Sequence, residues 1–275
     1  MIHKILKKFF GALGYKLVDK NLLKSQRLIS SKSHLTVKLL INNLVKKGKV
    51  KSLIQIGAND GLRFDVLNKY IKEYKIDSLL VEPVPFYFSK LQDNYSKDNF
   101  VKLERSAISK KSGTINMYTV KRDYLDKYDE HIKGINSVNK KHLNKHNVKS
   151  NHIEKISVEC LSPKDLLKKY QINNLDLLFI DAEGYDGEIV ISFLDYINFK
   201  PIIIFEFIHN KYDLFINVIE KLDKKFLNLS EIDNRIIKGL DIIGRDDFFT
   251  RVEVDDTYPK YLLNNINNYF KWIDS

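Results

Sequence analysis

Residues 53–61 read LIQIGANDG, an apolar run that breaks into two glycines with an asparagine and an aspartate between them. A short unbroken apolar run ending in turn residues fits a strand buried on both faces. The next stretch, LRFDVLNKYIKEY (62–74), carries apolar residues at Leu62, Val66, Leu67, Tyr70 and Ile71, a helical spacing. The loop 57–61 therefore joins a buried strand to a helix, and the question is whether that rhythm continues.

It does. IDSLLVEP (76–83) reads as the next strand and PFYFSKLQDNY (85–95) as the next helix, with Pro85 suited to its first turn. NFVKLERSAIS (99–109) and TINMYTV (114–120) are extended in pattern. SPKDLLKKYQ (162–171) is a short helix that Ser162 can cap, with Pro163 at its first position. LDLLFID (175–181) and KPIIIFEFI (200–208) are strands, and YDGEIVISFLDYI (185–197) and YDLFINVIEKLDKK (212–225) are helices. KFLNLSEI (225–232) and DDFFTRVEV (246–254) are late strands expected to pair as a hairpin across residues 233–245. Apolar strands alternating with amphipathic helices predict an α/β fold, doubly wound, mostly parallel, with an antiparallel strand at the C-terminal edge.

Two regions stand outside this alternation. Residues 1–48 form a helical extension ahead of the first core strand, and residues 49–275 form one domain. Within that domain residues 121–153 are a polar, basic insertion without a sustained period, which suits a functional cover or a solvated loop.

Composition narrows the function classes. Of 275 residues, 44% are hydrophobic and 29% charged, a globular balance. Cys160, the one cysteine, rules out an intrachain disulfide framework and a cysteine-based zinc site within one chain. No run approaches the roughly 18 apolar residues of a membrane-spanning helix. The net charge of +11 is compatible with an acidic partner, but the lysines are scattered and not interleaved with aromatics as in a nucleic-acid groove. An abundance of Lys, Asn and Ile of the kind AT-rich coding produces accounts for the charge better than a nucleic-acid partner does.

The loop 57–61 has the composition of a ligand-facing turn. In an open parallel sheet ligands lie beyond the carboxyl ends of the strands, where the strand order reverses. Gly57 and Gly61 lack a Cβ that would hold a ligand off, and Asn59 and Asp60 offer polar side chains. The spacing is not that of a pyrophosphate fingerprint, because Asn59 and Leu62 occupy the second and third glycine positions. No phosphate-binding G-x-x-x-x-G-K-[ST] motif is present either. The loop is better suited to a ligand with an amine, a carboxylate and a ribose. Glu82 lies about 20 residues past Gly61 at the end of the second strand, where an acidic residue accepts ribose hydroxyls.

IQIGANDG (54–61), VEPVPFYFSKLQDNY (81–95), SAIS (106–109) with SGTINMY (112–118), and LDLLFIDAEGYDGEIV (175–190) together resemble the successive motifs of FkbM-type S-adenosylmethionine-dependent methyltransferases. The resemblance covers roughly residues 50–210 and implies a Rossmann-like class I methyltransferase sheet and methyl transfer to a hydroxyl of a sugar, glycan or small metabolite. It implies that Gly57, Ala58, Asn59 and Gly61 line the methionine part of S-adenosylmethionine, with Asp60 in the same loop. It places Glu82, beside Pro83, at the ribose, Ser106 and Ala107 near the adenine, and Asp181 and Glu183 next to the sulfonium. Two positions depart from the family pattern. Gln55 stands where an aspartate is common, and Phe179 where a lysine often precedes Ile-Asp.

For a hydroxyl acceptor the chain must supply alignment and a base. Asp181, Glu183, Tyr185 and Asp186 follow one strand, and Glu206 and His209 end the next. Asp181, Glu183 and His209 are the catalytic candidates. A magnesium site lacks clear further ligands, and the i, i+4 pair His142 and His146 lacks a following Glu and sits among lysines, so no metal is expected.

The expected setting is cytoplasmic, with peripheral membrane contact through residues 1–18. There Ile2, Ile5, Leu6, Phe9, Phe10 and Leu13 recur at helical spacing beside Lys4, Lys7 and Lys8. Lysines interrupt the apolar stretch and no small-residue cleavage site follows, so it does not read as a signal peptide. Deleting residues 1–20 should abolish flotation with anionic liposomes, and a shortened chain that floats as well as the full one would remove the membrane contact.

Overall fold

Five parallel strands carry the site. They are β1 (Ser52–Ile56), β2 (Asp77–Val81), β3 (Val101–Glu104), β7 (Leu177–Ile180) and β8 (Ile202–Glu206). Between β3 and β7 the chain adds β4 (Ala107–Ile108), β5 (Gly113–Val120) and β6 (Ile153–Leu161), and after β8 it adds β9 (Leu229–Ile232) and β10 (Arg235–Lys238). The computed structural model describes residues 37–206, the helical positions 214, 217, 218 and 221, and strands β9 and β10. Residues 1–18, His209 and the strand expected at 246–254 lie outside the described residues.

The large sheet has the order β3-β2-β1-β7-β8-β10-β9, with the first five strands parallel and β10 antiparallel to both β8 and β9. The order runs outward from β1 in one direction through β2 and β3 and in the other through β7 and β8. The seam between β1 and β7 is therefore the point where connections diverge to opposite sides, the location at which open α/β sheets bind ligands. A second sheet, β4-β6-β5, stands beside it, with β4 parallel and β5 antiparallel to β6.

Burial explains the apolar runs. Leu53 on β1, Leu80 on β2, Leu177 and Phe179 on β7 and Ile202 and Ile204 on β8 enter one core with Ile41, Ile71, Leu91 and Tyr95 from the helices. Their neighbours Ile54, Ile56, Leu79, Leu178, Ile180, Ile203 and Phe205 enter the opposite core with Ile189 and Phe193. Successive strand residues point to opposite faces, so only a strand apolar at nearly every position satisfies both. Each fully buried Leu, Ile or Phe contributes roughly 1.5–3 kcal/mol. Helix Val37–Lys46 belongs to the first core through Ile41, Leu44 and Val45. Among the described residues no helix is long and apolar enough to cross a membrane.

Helix Pro85–Tyr95 has its proline in the first turn, and helix Pro163–Lys169 is capped by Ser162 Oγ, which accepts from the Asp165 N–H at 3.1 Å. Two expectations change. The helix read from residue 62 begins at Asn68. Ahead of it Asp60 Oδ1 accepts from the Leu62 and Arg63 N–H groups at 3.0 and 2.9 Å, and Asp65 Oδ1 accepts from Leu67 at 2.7 Å. Aspartates that capture nearby backbone donors offer an alternative to the helical ladder, and here they win over the apolar spacing. The antiparallel partner of β9 is also nearer in sequence than expected. Arg235–Lys238 pairs with Leu229–Ile232, leaving only Asp233 and Asn234, two turn-favouring residues, between the strands.

Gly57 decides how closely β1 and β7 meet. Its φ is +82°, and a Cβ there would lie 1.8 Å from the Asp181 carbonyl oxygen. The strand ends are locked further by Asp181 N–H donating to Ile56 O at 2.9 Å and by Gly57 and Ala58 N–H both donating to Val81 O at 3.0 Å. The missing Cβ of Gly57 thus makes room for backbone, not for a ligand. Gly61 is similar, since a Cβ would meet Leu91 and Tyr95 side chains at 2.4 and 2.7 Å. Gly57→Ala should lower unfolding stability by about 2–4 kcal/mol, combining backbone strain with overpacking. Gly48 also has positive φ (+66°) but open space beyond it, so Gly48→Ala should cost only about 1 kcal/mol. Denaturant titration of both variants checks the contrast.

Candidate active site

A cavity of about 380 Å³ opens at the carboxyl ends of β1, β2 and β7. Its wall includes Gln55 on β1, Gly57, Ala58, Asn59 and Asp60 from the first loop, Glu82 and Pro83 after β2, and Ser106 and Ala107 after β3. Asp181, Glu183 and Tyr185 follow β7, and the residues between β5 and β6 supply the far side. Of the residues predicted for the cofactor, Gly61 stands apart, because it faces helix Pro85–Tyr95 and not the cavity.

Glu82 is held by two backbone donors. Asn59 N–H donates to Oε2 at 2.9 Å and Val84 N–H to Oε1 at 2.8 Å, with the residue 3% exposed. Burial pushes its pKa up to about 7, against the lowering effect of those two hydrogen bonds. Each oxygen keeps a second lone pair, as a group accepting a diol requires. Asn59 itself sits at φ +49° and donates from Nδ2 to Gly134 O at 3.0 Å, tying the first loop to the insertion.

The insertion is more ordered than its composition suggests. It folds into a 3-10 turn Arg122–Lys127 and short helices Glu130–Lys133 and Lys140–Lys145 around Val120, Ile135, Leu143, Val148 and Ile153. It is fastened across the cavity by the Asn59–Gly134 bond, by Tyr87 OH donating to Lys133 O, and by an Arg63–Glu130 ion pair. Ser137 Oγ donates to Glu183 O at 2.8 Å, and His142 Nε2 lies 3.0 Å from Glu183 Oε2. Burial, and then Lys145, push the His142 pKa down, which favours the neutral ring, and its Nε2 faces the Glu183 carboxyl group. Of the i, i+4 histidine pair, His142 thus serves a carboxylate, and the His146 ring lies 4.8 Å from the His142 ring. Among the described residues no three His, Cys, Asp or Glu side chains gather as metal ligands.

Glu183 adopts φ +50°, a conformation costly for a residue with a side chain. Asp186 stabilises it from below: its two oxygens accept from Ala182 N–H at 3.0 Å and Gly184 N–H at 3.1 Å. Burial, and next the Asp181 charge, raise the Asp186 pKa to about 7. Asp186 is 1% exposed and holds the loop, while Asp181 and Glu183 reach the cavity wall.

Four buried side-chain atoms among the described residues have no hydrogen-bond partner: Gln55 Oε1, Asp65 Oδ2, Ser106 Oγ and Asn136 Oδ1. All four residues line this cavity. Buried polar atoms are normally paired, so a cavity wall that concentrates the exceptions is built for a polar ligand. Its demands match those of S-adenosylmethionine: acceptors for an ammonium and a ribose diol, and polar groups for an adenine edge. Asp65, Tyr87, Asn136 and the orienting role of His142 were missed in the sequence. An acidic residue shortly before a helix could have signalled Asp65; nothing local marks the others.

A comparison with protein families matches residues 55–231 to the methyltransferase FkbM domain. Curated proteins give no match. Among solved structures the chain is similar to a methyltransferase FkbM from Methylobacillus flagellatus KT, at 12% identity and TM-score 0.42, covering 70% of this chain and 44% of that one. The chain thus spans less than half the length of that protein. It is similar also to a precorrin-6y C5,15-methyltransferase from Geobacter metallireducens GS-15 (13% identity, TM-score 0.34, 71% of this chain and 84% of that one). A ribosomal protein L11 methylase from Lactobacillus delbrueckii subsp. bulgaricus is a third (11% identity, TM-score 0.35, 75% of this chain and 78% of that one).

The raised pKa of Glu82 makes a stability prediction. An acid whose folded pKa lies above its unfolded value binds its proton more tightly when folded, so stability is lost as pH rises from about 4.5 toward 7. Glu82→Gln carries no such charge. Relative to wild type it should gain on the order of 3 kcal/mol between pH 4.5 and 8, measured by denaturant unfolding of the ligand-free protein at both pH values. An unchanged difference would show that Glu82 is ionised in the fold at no cost.

Proposed function

The chain belongs to the FkbM methyltransferase family, and we propose that it moves the methyl group of S-adenosylmethionine to a hydroxyl of a glycan or small metabolite. The observation that carries this reading is the concentration of unpartnered buried polar atoms in one cavity, at the sheet's switch point, beside Glu82 and below Asp181 and Glu183. When bound, S-adenosylmethionine supplies an electrophilic methyl carbon.

The chain's own work is binding, alignment and proton removal. Glu82 presents its free lone pairs to the ribose hydroxyls, and Ser106 Oγ, next to Ala107 and Ile108, serves the adenine edge. The insertion between β5 and β6 is tied to both loops of the cavity and so contributes to the alignment that in-line transfer needs. Glu183 takes the acceptor's proton. It is the carboxylate of the wall whose backbone and side chain are both fixed by the insertion, through Ser137 and His142. A neutral His142 orients it without cancelling its charge. The charged side chains of Lys133, Glu130 and Arg63 on the cavity wall offer hydrogen-bond donors and acceptors, which suits a polyhydroxylated acceptor.

Calorimetric titration should give micromolar-range binding of S-adenosylmethionine and S-adenosylhomocysteine, lost in Glu82→Ala. Labelled-methyl transfer to a panel of hydroxyl-bearing glycans and metabolites then tests the acceptor class. With an acceptor in hand, Glu183→Gln should lower kcat about 100-fold or more while S-adenosylhomocysteine binds within a few-fold of wild type. A folded wild type that binds neither cofactor form would sink the reading.

A further inference from the structure

Two of the four unpartnered atoms belong together. Asp65 stands in the loop before helix Asn68–Tyr74, with Oδ1 engaged by the Leu67 N–H at 2.7 Å and Oδ2 without a partner. The Gln55 amide acts on the same carboxyl group, lowering its pKa, and the Gln55 Oε1 has no partner of its own. Both residues line the cavity. The two open atoms are acceptors, so what is missing is a donor, and one that answers a buried negative charge.

Building on the methyltransferase reading, we propose that Asp65, steadied by Gln55, is the carboxylate that binds the α-ammonium of S-adenosylmethionine. No other group of that molecule meets the demand. A primary ammonium brings a positive charge and three N–H donors, enough for Asp65 Oδ2 and Gln55 Oε1 together. The α-carboxylate has no donor, the ribose hydroxyls carry no charge, and the adenine amino group is neutral. The sulfonium is cationic but has no N–H. Position 55 contributes a neutral amide at the end of β1, and the negative charge comes from ten residues later in the chain.

The surroundings are consistent with a carboxylate kept waiting for a cation. Burial raises the Asp65 pKa to about 6, the nearby Asp60 charge adds to the rise, and the hydrogen bonds from Leu67, Gln55 and Asn68 only partly offset it. An arriving ammonium reverses the sign of the local field and favours the ionised form.

The test compares S-adenosylhomocysteine with its deaminated analogue, in which hydrogen replaces the α-amino group and the rest is unchanged. Both are titrated into wild type, Asp65→Asn, and Asp65→Asn combined with Gln55→Glu. Wild type should bind S-adenosylhomocysteine roughly ten- to a hundredfold more tightly than the analogue. Asp65→Asn should close that gap by weakening S-adenosylhomocysteine alone, and moving the charge to position 55 should reopen it. Asparagine keeps an oxygen for the Leu67 N–H. If the variant nonetheless unfolds, Asp65→Ser, which also retains that acceptor, must show the same selective loss. A gap that survives in the single variant, or an equal loss for both ligands, overturns the assignment and leaves the cofactor reading standing. No binding of either ligand by the folded wild type overturns both.

Discussion

The approach of β1 to β7 is the constraint on which the site depends. At Gly57 the first loop leaves its strand against the carbonyl of Asp181, with no room for a Cβ between them. That contact holds two loops side by side, one carrying Asn59 and Asp60, the other Asp181 and Glu183. It also sits where the strand order diverges, so the loops splay apart above it and leave a cavity. Packing below the seam and binding above it are therefore two consequences of one backbone contact.

Above the seam the protein retains electrostatic cost. Glu82, Asp65 and Asp186 are carboxyl groups whose pKa values burial raises to between about 6 and about 7. Asp186 has both oxygens matched to backbone donors and serves the geometry of the β7 loop. Glu82 likewise has one backbone donor on each oxygen, and Asp65 keeps one oxygen open. Place separates them: Glu82 and Asp65 line the cavity, where a further donor can reach them, and Asp186 does not. Sites that bind polar molecules trade folding stability for this access.

The insertion between β5 and β6 links cover and chemistry. Its own apolar cluster makes it a small folded unit; its Gly134 and Lys133 carbonyls accept from Asn59 and Tyr87, and its Glu130 and His142 side chains reach Arg63 and Glu183. One wall of the cavity is thus built by a segment whose sequence is polar, basic and aperiodic.

The sequence by itself determined the alternation of strands and helices, the parallel sheet, the caps at Ser162 and Pro85, and the positions of the first loop, Glu82 and Asp181 along it. These were legible because strand burial on both faces and helical periodicity are local signals, and because a strand end names its own loop. It misplaced the start of the helix after Gly61, where Asp60 and Asp65 take backbone donors that the apolar spacing had assigned to a helix. It also read Gly57 and Gly61 as room for a ligand, although protein atoms fill that room. Only the tertiary structure decided which polar groups remain unpaired, that His142 serves Glu183 across 41 residues of chain, and that Gln55 and Asp65 face one gap. Hydrogen-bond satisfaction depends on every neighbour in space, and the linear order of residues carries no record of it.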